Sequence, residues 1–125
     1  KVVAVHSCGR PLNPMQLESQ INGGIIMGIG YALYEDRVMD RNTGYQMNTG
    51  LDNYKLPGAR EIPQIETILI EKYGGYSSTD ADGIGEPANI ATAAAIANAV
   101  YNAIGVRIFE LPITPRRVLE ALKVV

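Results

Sequence analysis

The carboxylate of Glu86 is the side chain whose neighbours best equip it for chemistry. It follows Gly83, Ile84 and Gly85 and directly precedes Pro87. Glycine lets a backbone turn tightly or approach a ligand, whereas proline suits the first position of a helix and favours an extended conformation in the residue before it. We therefore predict that Glu86 is the extended N-cap residue of a helix. At the positive end of that helix, its carboxylate could serve as a general base.

The same carboxylate has a simpler interpretation. Acidic residues are common at helix starts, where they only satisfy backbone N–H groups. A simple cap requires neither Gly83 nor Gly85, so the two glycines favour a functional role. The pattern by itself leaves both interpretations open.

Composition restricts the classes of function. The 125 residues fit one domain, and a content of 46% hydrophobic and 19% charged residues is typical of a globular protein. The formal net charge of −2 provides no basic surface for nucleic acid or acidic lipid. The apolar run at residues 25–33 is interrupted by Gly28 and Gly30. Because a membrane span needs about 20 apolar residues, we predict no transmembrane helix.

Cys8 is the only cysteine in the sequence. One thiol forms no internal disulfide and cannot supply a cysteine-rich zinc site or an iron–sulfur cluster. His6 would share a strand face with Cys8, but two ligands do not make a metal site, so we assign no metal ligand to this chain. The beginning of the sequence lacks the regions of a signal peptide, which predicts an intracellular, cytoplasmic location.

Hydrophobic periodicity predicts the elements that position Glu86. The predicted elements are strands at residues 2–8 and 65–71, a hairpin at 37–46, helices at 13–33 and 87–104, and a short C-terminal helix after Thr114. This is an α+β fold in which a mixed sheet of short strands packs with two long helices and a short C-terminal helix. Apolar residues alternate on both sides of the second strand, so we expect both of its faces to be covered.

The first helix carries an unusually slim apolar stripe that includes Gly23, Gly24, Gly28 and Gly30. Each interior glycine costs up to about 1 kcal/mol relative to alanine, so we predict that another backbone packs very close to this helix. The predicted apolar stripe of the second helix consists of Ile90, Ala94, Ala97, Tyr101 and Ile104.

Three stretches give the chain a family resemblance. They are Cys8-Gly9-Arg10 to Asn13-Pro14 with Gln20, Gly23 and Gly24; Gly83-Ile84-Gly85-Glu86-Pro87; and Leu111-Pro112-Ile113-Thr114-Pro115. Together they resemble the C-terminal part of the molybdenum-cofactor-binding subunit of the xanthine dehydrogenase and aldehyde oxidase family. Because the resemblance covers only this portion of the large subunit, residues 1–125 are interpreted as a single domain or fragment, part of a larger molybdopterin-binding domain.

The resemblance implies a molybdenum hydroxylase that oxidises an aldehyde or N-heterocycle with water-derived oxygen. Glu86 would be the catalytic base, and Gln20, Gly83, Ile84 and Gly85 would contribute to the site of molybdenum-molybdopterin, in its cytosine dinucleotide form. Iron–sulfur clusters and FAD are expected only on other chains or domains. The partners would be those chains and the remaining segments of the molybdenum subunit, so this chain alone would be inactive.

Asp82 departs from the family pattern, which often has Lys, Arg or Gly at that position, and it places a second negative charge before the glutamate motif. A function of another class also accounts for the sequence. In that alternative, the chain is a non-catalytic α+β interaction or scaffold module of a multi-chain complex, and Glu86 is only a cap. The alternative predicts no molybdenum in any complex that contains the chain.

Overall fold

The fold consists of two strands and four helices in the part of the chain that this computed structural model describes, residues 1–72 and 77–124. In chain order the elements are β1 (Val2–Ser7), α1 (Pro14–Leu33), β2 (Ile65–Ile70), α2 (Pro87–Ile90), α3 (Thr92–Ile104) and α4 (Pro115–Ala121). The predicted α+β class is therefore confirmed. Among the described helices, none combines the length and apolarity that a membrane crossing requires.

β1 and β2 form a parallel pair in which Val2 lies opposite Ile65 and Ser7 lies opposite Ile70. Alternate side chains of both strands pack on the core. The other face of the sheet carries side chains that are 43% to 53% exposed, namely Val3, Val5, Ile68 and Ile70. The expectation that both faces of the second strand are covered is therefore wrong within the described residues, because the described helices pack on only one face of the sheet.

The predicted hairpin at residues 37–46 is reduced to a single antiparallel bridge between Met39 and Gln46. Its turn is held by the Asp40 carboxylate, which accepts hydrogen bonds from the Asn42 N–H at 2.9 Å and the Thr43 hydroxyl at 2.6 Å. Local hydrogen bonds thus define the turn, but the flanking residues pair too briefly to form strands.

α1 begins as its sequence predicts. The Oδ1 of Asn13 accepts a hydrogen bond from the backbone N–H of Gln16 at 3.1 Å, and proline occupies the first turn. Three isoleucines one turn apart, Ile21, Ile25 and Ile29, are at most 3% exposed and form the core together with Ala88. The sheet, α2 and α3 all pack against this row of isoleucines, so α1 is the central element of the fold.

The glycines of α1 permit a very close approach of α2 and α3. A Cβ atom built on Gly24 would lie 2.7 Å from the Cβ of Ala88, and one built on Gly28 would overlap the Cβ of Thr92. The prediction that another backbone passes near the glycine stripe is confirmed at Gly24, where an added Cβ would lie 2.9 Å from the carbonyl carbon of Ala88, whereas the nearest neighbours of Gly28 are side-chain atoms. It does not extend to Gly23, where an added Cβ would meet nothing within 4 Å.

The second predicted helix is divided at Ala91 into α2 and α3. Its end is as predicted, because Gly105 closes α3 in the left-handed conformation with φ of 74°. The predicted apolar stripe is wrong at Ile90 and Ala94, which are exposed, whereas its other three residues are partly buried. Ile90 is 73% exposed, whereas Ala88 and Thr92 are buried, since the gaps above Gly24 and Gly28 admit this row of small residues rather than the bulkier one.

The C-terminal segment is attached to the end of α1. The backbone N–H of Ile113 donates to the carbonyl of Ala32 at 2.7 Å, which satisfies one of the carbonyl groups left without a helical partner at a helix end. Ile113 is 5% exposed. Thr114 caps α4 as predicted, because its Oγ1 accepts a hydrogen bond from the Arg117 N–H at 3.3 Å.

We expect the substitution Gly28→Ala to lower the free energy of unfolding by about 1 to 3 kcal/mol. The added methyl group would overlap the Cβ of Thr92 and must push α3 away from α1. Denaturant unfolding measures the effect. Gly23→Ala is the matched control on the same helix, and it should stabilise the protein by about 0.5 to 1 kcal/mol because alanine is the better helix former. Equal stability of Gly28→Ala and the parent would contradict the close packing.

Candidate functional site

A cleft of ≈ 330 Å³ lies between the first turns of α1 and the two loops that carry predicted motifs. Gln20 lines it from α1, and Gly83 and Ile84 line it from the loop that leads to Glu86. The structure therefore brings three of the predicted site residues together. Gly85 and Glu86 follow directly in the chain but do not belong to the lining.

The two loops are joined by backbone hydrogen bonds. The Arg10 N–H donates to the Asp80 carbonyl at 2.7 Å, and the Asp82 N–H donates to the Cys8 carbonyl at 2.9 Å. Between them lies Gly9, which has φ of 64° and whose missing Cβ would overlap the carbonyl oxygen of Asp80. Only glycine satisfies both requirements, so Gly9 couples the Cys8-Gly9-Arg10 motif to the segment that precedes Glu86.

Polar side chains from both sides reach the cleft. Gln16 and Gln20 lie one turn apart on the exposed face of α1, where residues four apart are neighbours. Arg10 and Asp82 line the same cleft and contribute one charge of each sign. Neither Arg10 nor Gln16 was predicted from the sequence as a site residue. Two features of the sequence could have identified them: Arg10 belongs to one of the three family motifs, and Gln16 precedes Gln20 by one helical turn.

The conformation of Glu86 corrects the sequence prediction. Its φ of −61° and ψ of −25° are helical rather than extended, and its side chain makes no capping hydrogen bond. The Glu86 carbonyl accepts a hydrogen bond from the Asn89 N–H at 2.8 Å, which is the first backbone hydrogen bond of the helical turn. The Glu86 side chain is exposed. Its carboxylate is therefore held at the start of α2 without serving as a cap.

Gly83 and Gly85 serve no packing requirement within the described chain. An added Cβ would meet nothing within 4 Å at either position, and neither residue has a positive φ. Both could therefore be other residues without a clash in this chain. Their absence of side chains leaves the backbone beside Glu86 accessible to a group that comes from outside the chain.

The described ionisable groups with shifted pKa values lie in another region. The Tyr54 hydroxyl donates to the Glu35 carboxylate at 2.8 Å, and this hydrogen bond raises the pKa of Tyr54. The hydroxyl of Thr43 lowers the pKa of Asp40 by donating to its carboxylate. Both contacts stabilise loops after α1. Within the described residues no group of three or more His, Cys, Asp or Glu side chains could hold a metal ion.

Gly9→Ala is expected to separate the two loops that form the cleft. The new methyl group cannot coexist with the Asp80 carbonyl, so the amide hydrogens of Arg10 and Asp82 should exchange at least about tenfold faster through local opening. Hydrogen exchange measured residue by residue tests this.

Gly44→Ala is the control for that substitution. Gly44 also has a positive φ, of 73°, but a Cβ there would meet nothing within 4 Å. It should cost roughly 1 to 2 kcal/mol through backbone strain and leave the exchange of Arg10 and Asp82 unchanged. Slow exchange of both amides in Gly9→Ala would show that the loops do not depend on this glycine.

Comparisons with known proteins agree with the resemblance based on the three motifs. A sequence profile described as "Molybdopterin cofactor-binding domain" matches residues 1–63. The xanthine dehydrogenase molybdenum-binding subunit of Escherichia coli O157:H7 is 42% identical over 120 residues, which are 96% of this chain and 16% of that protein. The aldehyde oxidoreductase molybdenum-binding subunit PaoC of Escherichia coli (strain K12) is 40% identical over 123 residues, which are 98% of this chain and 17% of that protein.

The crystal structure of quinoline 2-oxidoreductase from Pseudomonas putida 86 has the same fold over this region. It superimposes with a TM-score of 0.89 at 34% sequence identity and covers 97% of this chain and 16% of the larger one. The chain thus corresponds to a small part of much longer proteins. It belongs to the molybdopterin cofactor-binding domain family, whose relatives named above include molybdenum-binding subunits of xanthine dehydrogenase and aldehyde oxidoreductase.

Proposed function

We propose that this chain is part of a molybdenum hydroxylase that oxidises an aldehyde or N-heterocycle with water-derived oxygen, and that Glu86 is its general base. The observation that carries the proposal is a carboxylate at a helix start that caps nothing, next to two glycines that pack against nothing. Both features are unexplained by the fold of the chain. Both are accounted for if Glu86 faces a reacting group that binds beside the bare backbone.

The similarity to the relatives extends over the Glu86 segment. The family profile ends at residue 63, but the alignment to the Escherichia coli xanthine dehydrogenase subunit includes 96% of this chain. That relative is named as a molybdenum-binding subunit, which supports the assignment of a molybdopterin cofactor to the complete protein.

The side chains of the cleft fit part of a molybdopterin. The amides of Gln16 and Gln20 both donate and accept hydrogen bonds, as the nitrogen and oxygen atoms of a pterin ring require. Arg10 and Asp82 offset one another in charge, so this cleft suits the neutral edge of the ring better than a phosphate group. Gly83 permits close approach of the ring to the backbone. We assign the cytosine dinucleotide form of the cofactor on the family resemblance.

When bound, the cofactor supplies the molybdenum centre at which the substrate is oxidised. The part assigned to Glu86 is to accept a proton on a carboxylate oxygen, which requires that the carboxylate be ionised and within about 2.6 to 3.2 Å of the group that loses the proton. Because the Glu86 side chain is exposed in this chain, exclusion of water from it is assigned to the rest of the subunit. Iron–sulfur and flavin groups are assigned to other chains or domains.

A non-catalytic interaction module is the competing function, and the bare apolar face of the sheet favours it. The molybdenum and pterin content of the complex purified from its natural source separates the two functions. The hydroxylase assignment requires both components in amounts equal to the chain. A complex that contains neither would support the interaction module.

Glu86→Gln in the complete enzyme should reduce turnover by roughly 100-fold to 10,000-fold, the range that general base catalysis supplies. The substitution keeps the shape of the side chain but removes the proton acceptor. Molybdenum and pterin content should stay unchanged, and stability should change little because no capping bond is lost.

Glu18→Gln is the matched control for this test, since Glu18 is exposed on α1 and does not line the cleft. Its turnover should equal that of the parent. If the Glu86→Gln enzyme with its full cofactor content turned over within a few-fold of the parent, Glu86 would not be the base.

Gln20→Ala should weaken retention of the pterin by about 1 to 3 kcal/mol, because it deletes one partner of a hydrogen bond that the bound pterin would bury. The measurement is the fraction of cofactor that remains after dialysis of the complete enzyme. Gln64→Ala provides a comparison, because Gln64 is an exposed residue outside the cleft. Equal retention of the cofactor in the two variants would show that Gln20 is not part of the site.

A further inference from the structure

A second cavity, of ≈ 360 Å³, follows one edge of β1. Six consecutive residues, 1–6, line it. Successive strand residues point to opposite faces of a sheet, so a cavity lined by all of them runs along the strand edge rather than over one face. No residue of β2 contributes to the lining. The cavity therefore lies beside the edge of β1 that β2 does not occupy.

The backbone of β1 presents hydrogen-bonding groups to this cavity. The Val2 N–H donates to the Gln64 carbonyl at 2.9 Å, which places the polar groups of Val2, and by alternation those of Ala4 and His6, on the side of β2. The N–H and C=O groups of Val3 and Val5 consequently face the cavity. Because the sheet of the described residues has only two strands, no described strand pairs with them.

The opposite wall of the cavity is lined by uncharged and largely apolar side chains of α1, α2 and α3. Ala91, Ala95 and Ala99 recur at four-residue spacing and are exposed to the solvent. Ile25 contributes from α1 and is only 2% exposed. An edge that needs backbone donors and acceptors thus lies opposite a wall without charged groups. An extended segment meets both conditions, whereas a helix has already used its backbone groups internally.

We propose that an extended segment from the remainder of the molybdenum-binding subunit adds a strand to this free edge of β1. Its backbone pairs with Val3 and Val5, and its small apolar side chains pack against the alanine row. The inference rests on the proposed function, since it takes the missing partner to be the rest of the same subunit. This chain covers 16% and 17% of the two curated relatives, so most of such a subunit lies outside it and is available to supply the strand.

The bare face of the sheet supports the same arrangement. Val3 and Val5 are each 53% exposed on the face that no described helix covers. An added strand would extend that apolar face next to them, and the rest of the subunit would then cover a wider sheet. Strand addition accounts for the unpaired edge, and cover of the widened sheet by the rest of the subunit would account for the apolar side chains at the surface.

Residue-resolved hydrogen exchange on the complete complex tests the proposal. The amides of Val3 and Val5 should exchange as slowly as those of Ala4 and His6, at least about 100-fold slower than unprotected amides. Exchange of Val3 and Val5 at the unprotected rate, with Ala4 and His6 still slow, would overturn it. Molybdenum and pterin are assayed on the same sample. If the edge is protected but molybdenum and pterin are absent, the hydroxylase function is refuted and the added strand is not. If both components are present but Val3 and Val5 are unprotected, the added strand is refuted and the hydroxylase function is not.

Cross-linking identifies the segment that occupies the cavity. Ala95→Cys carries a short photoreactive thiol label into the cavity, and Ala103→Cys carries the same label to an exposed position of α3 outside it. Cys8 is 1% exposed and does not compete for the label. Position 95, but not position 103, should cross-link to a part of the same molybdenum subunit beyond residues 1–125. A cross-link to a second copy of this chain or to an iron–sulfur or flavin chain would overturn the proposal, as would none at all.

Discussion

The close contact between α1 and the α2–α3 pair is the constraint on which the rest of the structure depends. At Gly24 and Gly28 the first helix presents no side chain, and Ala88 and Thr92 fill the space. Any larger side chain at Gly24 or Gly28 would move α2 and α3 away from α1. Tyr31 reinforces the contact, because its hydroxyl donates to the Oδ1 of Asn89 at 2.8 Å.

This contact also sets the relative positions of the proposed site residues. Gln20 lies one turn before Gly24 on α1, and Glu86 lies two residues before Ala88 at the start of α2. A glycine-to-alanine contact adjacent to both residues fixes the backbone of each against the other. The backbone hydrogen bonds on either side of Gly9 then position the loop that leads to Glu86. Packing in the core therefore accounts for the geometry of the cleft at the surface.

The polar and apolar surfaces of the chain are those of a part rather than of a complete domain. Glu86, the proposed general base, is exposed, and the sheet leaves one face and one edge without a partner among the described residues. The relatives are several times longer than this chain. A larger subunit that continues the sheet and covers the cleft would resolve both features at once.

Several features were determined by the sequence alone because they depend on interactions over a few residues. Asn13 and Pro14 specify where α1 begins, Gly105 specifies where α3 ends, and Thr114 specifies the cap of α4. The glycine stripe predicted a close neighbour, and three motifs predicted the family. In each case the residue type itself supplies the cap, the turn or the missing side chain.

Other features were decided only by the tertiary structure. The row of α2 and α3 that faces α1 is set by where Gly24 and Gly28 leave space, some 60 residues earlier in the chain. Glu86 is helical in the folded chain, although Pro87 locally favours an extended conformation in the residue before it. The assembly of the cleft depends on pairing between loops far apart in sequence. Local preferences could not predict these outcomes, because the partner groups meet only when the chain has folded.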